Sequence, residues 1–460
     1  MKTENSWNTY SDTQKNDIEA LSQRYKKFLN NGKTERECVK EIIKLAEKRG
    51  YKNIDDVEKN NVLKPGDKVY SVMMKKAVAL FNIGSRPLKE GMNILGAHID
   101  SPRLDVKQNP LYEDSEIAYF DTHYYGGIKK YQWVALPLAI HGVVAKKDGI
   151  CEISIGEKDD EPVLFVSDLL IHLSQKQLEK KAATVIEGED LNVTIGNIPL
   201  KGDEKDAVKA NILKLLKERY GISEQDFISA ELEIVPAGKA RDCGLDRSMI
   251  MSYGQDDRVC AYTSLEAMLN VEKTERTSAC ILVDKEEIGS VGATGMQSRF
   301  FENAVARIMN MCRKYSEFDL RMALQKSKML SSDVSSAFDP IYAAAFEKNN
   351  VAYISHGMVF NKFTGARGKS GSNDANAEYI AELRKIMDDE NVKFQTAELG
   401  RVDLGGGGTI AYILALYGME VIDSGIAVLN MHAPWEVTSK ADLYETERGY
   451  EAFIKNAGKN

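Results

Sequence analysis

Residues 95–107 read "LGAHIDSPRLDVK", an apolar run that ends on His98 with Asp100 two positions further on. In an extended strand, side chains two apart point the same way, so the imidazole and the carboxylate are expected on one face. That pairing suits a metal-ligating histidine whose ring is oriented by an acid behind it. A polar strand end with a stray histidine gives the same pattern, and the two are separated by whether other ligands stand at comparable places in the chain.

The surroundings of this stretch are those of a sheet. Residues 67–84, "DKVYSVMMKKAVALFNIG", alternate and turn like a hairpin, and "GMNILGAHID" follows as a strand. Upstream, "DIEALSQRYKKFLN" and "TERECVKEIIKLAEKRG" have helical periodicity, the second with Thr34 and Glu37 at capping-box spacing and Gly50 at its stop. From about residue 106 to 234 the texture changes to pieces such as "GICEISIG" and "EPVLFVSDLL" and then a charged stretch, without a cluster of metal ligands. Beyond it, strands alternate with helices through "SACILVD", "RFFENAVARIMNMC", "GGGGTIAYILALYG" and "MEVIDSGIAVL". The pattern predicts an α/β protein with a mixed β-sheet flanked by helices, interrupted by a β-rich insertion.

Composition narrows the function. The 460 residues are 43% hydrophobic and 28% charged, as in a globular protein. A net charge of -8 from 61 basic and 69 acidic residues argues against a nucleic acid or an anionic membrane as partner. The longest apolar stretch, "WVALPLAIHGVVA", is short of a membrane span and carries Pro137 and His141, so it reads as core. The start, "MKTENSWNTYSD", lacks the apolar segment of a secretory signal, which predicts a cytoplasmic protein. Six cysteines without a C-x-x-C pair read as reduced thiols.

Other ligands do stand at comparable places. His432 lies in "GIAVLNMHAPWE", just after an apolar strand pattern, where open α/β sheets put their sites. "CILVDKEEIGS" runs a strand into Glu286 and Glu287; adjacent side chains diverge, so one carboxylate can bind a metal while its neighbour faces water as a general base. Asp256 and Asp257 in "GQDDRVCAY" precede a helical pattern, and Asp333 lies in the Ser-rich "LSSDVSSAFDP"; capping is an alternative for each. Two histidines and three carboxylates with a spare glutamate suit two divalent ions. Zinc favours the imidazoles, and the carboxylates also tolerate Co2+ or Mn2+.

The motifs "AHIDSPRLDVK", "DDR", "EEIGS", "SSDVSSAFDP", "GGGGTIA" and "MHAPWE", in this order across nearly the whole chain, resemble the aspartyl aminopeptidase and vacuolar aminopeptidase I family of dinuclear-zinc exopeptidases. The resemblance implies that His98 and Asp333 hold one zinc, Glu287 and His432 the other, with Asp256 bridging, Glu286 as general base and Asp100 orienting His98. It implies that His172, in "LLIHLSQKQ", enters a neighbouring subunit's site. The implied fold is a catalytic domain of residues 1–105 and 235–460 with a dimerisation domain, 106–234, inserted. The implied assembly is a homododecamer built from dimers, closed to folded proteins and open to short peptides. Arg367 and Lys369, in "FTGARGKSGSNDANAEY", are the cations matching the family's pocket for acidic N-terminal residues, while Asp339 stands where many relatives have histidine. The alternatives are an aminopeptidase for neutral or apolar N-terminal residues and a catalytically silent scaffold, the latter disfavoured by the complete set of base and ligands.

Overall fold

The strand Met92–His98 is buried along its whole length, as befits a strand with parallel neighbours and both faces covered. The computed structural model describes residues 4–58, 62–202, 205–366 and 370–459. Among these, a nine-stranded sheet runs in the order Lys52–Asn53, Lys68–Met73, Ala77–Asn82, Thr277–Val283, Met92–His98, Lys328–Ser332, Glu420–Gly425, Met358–Asn361, Phe394–Thr396. Its four central strands are parallel, and Ala77–Asn82 and Met358–Asn361 flank them antiparallel.

Alternation along these strands divides the apolar side chains between two cores. Leu95, Ala97, Leu282, Leu330 and Ile422 face one; Ile94, Ile281, Met329 and Val421 face the other. The first core is covered by the helices Glu35–Lys48, Gln255–Asn270 and Lys440–Asn456, the second by Phe300–Met311 and Glu317–Gln325. Glu35–Lys48 starts with the expected capping box: the Glu37 N–H donates to Thr34 Oγ1 and the Thr34 N–H to Glu37 Oε2, both at 3.2 Å.

The register decides what meets at the sheet's edge. Val283 pairs with His98, and Ser331 with Gly96, so Asp284–Glu287 and Asp333 leave their strands level with His98. "GGGGTIAYILALYG" forms helix only over Ala411–Ala415, because the four glycines lose too much backbone freedom to join it.

The chain separates into two compact units, one of residues 1–100, 240–431 and 436–460, the other of Ser101–Lys239 with His432–Trp435. The expected insertion limits, 106 and 234, fall inside strands of the second unit, Arg103–Asp114 and Ala230–Pro236. Its described strands make a seven-stranded antiparallel sheet. His141 is buried there with Nε2 3.2 Å from Glu157, consistent with its reading as a core residue. "EPVLFVSDLL" is strand only at Phe165–Val166, where Val193 and Thr194 offer partners. Among the described residues no helix is long and apolar enough to cross a membrane.

Candidate metal centre

His98 ends its strand almost fully buried, at 2% exposure. Its Nδ1 lies 3.0 Å from the Asp100 carbonyl and 3.3 Å from the Asp100 carboxylate. A proton on Nδ1 satisfies both acceptors and turns the Nε2 lone pair outward. Nε2 faces Asp256 Oδ1 at 3.4 Å and Glu286 Oε2 at 3.8 Å. Ligand atoms of His98, Asp256 and Asp333 all lie within 4.8 Å of one another, and so do an oxygen of Asp256 and one of Glu287.

Each of these groups is placed by local chemistry. Asp333 follows Lys328–Ser332, and its carbonyl occupies the space where a side chain at Gly425 would begin, which explains a glycine there. Asp256 joins Asp257 through a cis peptide at the start of Gln255–Asn270, and its N–H donates to Glu436 Oε2 at 3.0 Å. Asp100, fully buried, accepts the N–H groups of Glu286 and Glu287, each at 3.2 Å. One carboxylate therefore orients the imidazole and anchors the backbone of the paired glutamates.

The electrostatics fit a cation. Burial and then the nearby charges of Asp257 and Glu286 hold the Asp333 carboxyl well above the usual carboxylate range. Burial opposes a charged His98, but hydrogen bonds to Asp100 and Asp256 outweigh it and raise the imidazole well above its ordinary value. A divalent ion among these oxygens would offset the carboxylate crowding and replace the proton on Nε2. The donor set, imidazole with carboxylates, is one that zinc accepts.

The family pattern of the aminopeptidase I zinc metalloproteases (M18) matches residues 28–454. The chain belongs to the M18 family. A protein of Clostridium acetobutylicum, named in the M18 family aminopeptidase 1 group, is 65% identical over 455 residues, 98% of this chain and 98% of its own. The crystal structure of an M18-family aminopeptidase from Thermotoga maritima is 46% identical, with a TM-score of 0.94 over 99% of this chain and 100% of that one. The structure of an S. cerevisiae mApe1 dodecamer, 20% identical with a TM-score of 0.76 over 95% of this chain and 97% of that one, shares the fold. As an M18 enzyme this chain is a metallo-aminopeptidase.

Of the residues singled out in this M18 sequence, His98, Asp100, Asp256, Glu286, Glu287 and Asp333 come together in the first unit. In the second unit, His432 has Nδ1 2.8 Å from the Gly127 carbonyl, and His172 sits in the short 3-10 turn Ile171–Leu173. Arg367 and Lys369 lie outside the described residues. Sequence reasoning left Glu436 and Arg258 without roles and offered Asp257 no more than a helix cap. The Asp257 carboxylate accepts the His98 N–H at 3.3 Å. The buried Arg258 guanidinium donates to the Ile99 and Lys33 carbonyls at 3.1 Å, fixing the backbone between His98 and Asp100. A signal was present: Arg258 stands in "DDR" and Glu436 closes "MHAPWE".

Proposed function

We propose that this enzyme removes N-terminal residues from short peptides at a pair of divalent ions, with Glu286 as general base. The observation carrying this reading is Glu286 Oε2 at 3.8 Å from Nε2 of His98, beside the His98–Asp256–Asp333 group and outside it. A base must stand next to the donors without being consumed as one. As the family resemblance implies, His98 and Asp333 would hold one ion and Glu287 and His432 the other, with Asp256 common to both sets; zinc suits such a mixture, and cobalt or manganese would be tolerated. When bound, the ions supply Lewis acidity at the scissile carbonyl and lower the pKa of the attacking water. Asp100 keeps a proton on His98 Nδ1. Glu286 accepts the proton of the attacking water at its carboxylate and returns it to the departing amino nitrogen.

Arg367 and Lys369 favour an acidic N-terminal residue, because a cation receiving the substrate carboxylate gains a charge-assisted hydrogen bond. The test is kcat/KM for Asp-, Glu-, Leu- and Lys-p-nitroanilides on chelated protein and on protein reloaded with zinc, cobalt or manganese. Activity should vanish on chelation and return with metal. Asp and Glu should lead by about tenfold, ~1.4 kcal/mol, and lose that lead in Arg367→Ala or Lys369→Ala. Leu or Lys ahead in the wild type would replace the acidic preference by a neutral or basic one.

The enzyme is further proposed to assemble as dimers into a dodecamer, with His172 reaching a neighbouring subunit's site. In support, Leu169, Leu170, Ile171 and Leu173, around His172, are 46%, 53%, 68% and 67% exposed, and a run of apolar side chains in water marks an interaction surface. The Ile171→Asp, Leu173→Asp double variant is expected to give smaller species in light scattering and to lose activity with them. A variant that stays large and fully active would remove both the interface and the role of His172.

A further inference from the structure

We infer that Asp284 and Thr294 are positioning residues for Glu286: they close the mouth of the loop that carries it and thereby set where the base stands. The inference rests on the proposed role of Glu286. The loop leaves Thr277–Val283 and has little regular structure to stiffen it, only the turn Glu286–Ile288 without a capping side chain. Lys285, Gly289 and Ser290 take left-handed conformations with φ of 70°, 96° and 61°. Residues other than glycine keep such conformations only where their surroundings over-determine them.

Those surroundings are specific. At the mouth, the Asp284 N–H donates to the Thr294 carbonyl at 3.2 Å and the Thr294 hydroxyl to Asp284 Oδ2 at 2.6 Å. Lys285 Nζ is 2.9 Å from that same Oδ2. Asp284 and Thr294 are 1% and 3% exposed, so water does not compete for this bond. Inside the loop the Ser290 N–H donates to the Lys285 carbonyl at 2.7 Å, and Gln297 Nε2 donates to the Gly289 carbonyl at 3.0 Å. From the opposite side, Asp100 holds the N–H groups of Glu286 and Glu287. Glu286 is thus fixed at its backbone by Asp100 and through its loop by the Asp284–Thr294 clip, and neither clip residue is among the groups that face His98 Nε2.

Misplacing a catalytic group by about 1 Å can cost on the order of 10²-fold in rate. Thr294→Val keeps the shape of the side chain and replaces the hydroxyl by a methyl that cannot donate to Asp284. In metal-loaded enzyme it is expected to lower kcat about 10- to 100-fold with KM and metal content within about twofold, and Thr294→Ser should restore kcat to within about threefold. In a Glu286→Gln background Thr294→Val should cost nothing further, since no base remains to misplace. Gln297→Ala, at an exposed side chain whose Nε2 also donates to the Tyr412 hydroxyl at 3.1 Å, should lower kcat in the same direction by less. The inference is overturned if kcat is unchanged in both Thr294→Val and Gln297→Ala, or if Thr294→Val costs as much in the Glu286→Gln background as in the wild type. A Glu286→Gln enzyme with wild-type kcat would instead remove the base itself, and the inference with it.

Discussion

Glu286→Gln should lower kcat by about 10²–10⁴-fold, the usual share of general acid–base catalysis, while KM and metal content stay close to wild type. The substitution is isosteric, and the backbone N–H that Asp100 accepts is untouched, so the side chain should keep its place 3.8 Å from His98 Nε2. What changes is that a neutral amide cannot take a proton from water. Metal content should hold because Glu286 stands beside the His98–Asp256–Asp333 group and outside it, so no donor is removed. Glu287→Gln should behave oppositely and lose metal together with activity, since it removes a proposed donor. Kinetics on an aminoacyl-p-nitroanilide together with metal analysis by plasma emission separate the two. Near-wild-type turnover in Glu286→Gln, or loss of metal from it, would sink the assignment of the base.

The central strands were legible because burial on both faces leaves almost wholly apolar runs such as "NILGA" and "ACILV". The candidate donors were legible for a related reason. Acids and histidines directly after such runs must emerge at one edge when the strands are parallel, and the pairing of Val283 with His98 places them level. Register itself was not legible, as nothing local in "SSDVSS" states which residue of Met92–His98 it will face. The supporting groups escaped for the same reason. Glu436 meets the Asp256 N–H across 180 residues of sequence, and Arg258 reaches Lys33 across 225, contacts that only the assembled fold creates. Strand content in the second unit was overread at "EPVLFVSDLL", whose apolar residues fit a strand pattern but are in large part exposed, as at Val163, Leu169 and Leu170. Apolar character alone does not separate a residue buried in a sheet from one exposed on the chain's own surface.

Asp256→Asn is expected to abolish activity at metal concentrations that saturate the wild type, and to lose at least one ion. Asp256 is the one residue shared by both proposed donor sets, and its carboxylate also faces His98 Nε2 at 3.4 Å. Asparagine keeps the shape and one oxygen but no charge, and a neutral oxygen is a poor bridge between two cations. The loss should exceed the 10- to 100-fold in metal affinity that removal of an outer partner typically costs. Glu436→Gln supplies that reference in the same protein: Glu436 is 1% exposed and holds the Asp256 N–H at 3.0 Å without lying among the donors. Metal titration of chelated protein should therefore rank wild type above Glu436→Gln and Glu436→Gln well above Asp256→Asn. The wild type should also bind more weakly as pH falls, since protons compete for Asp333 and His98, both held above their ordinary values. If Asp256→Asn binds metal as tightly as Glu436→Gln, the shared-carboxylate arrangement is wrong, and the two ions must be held independently.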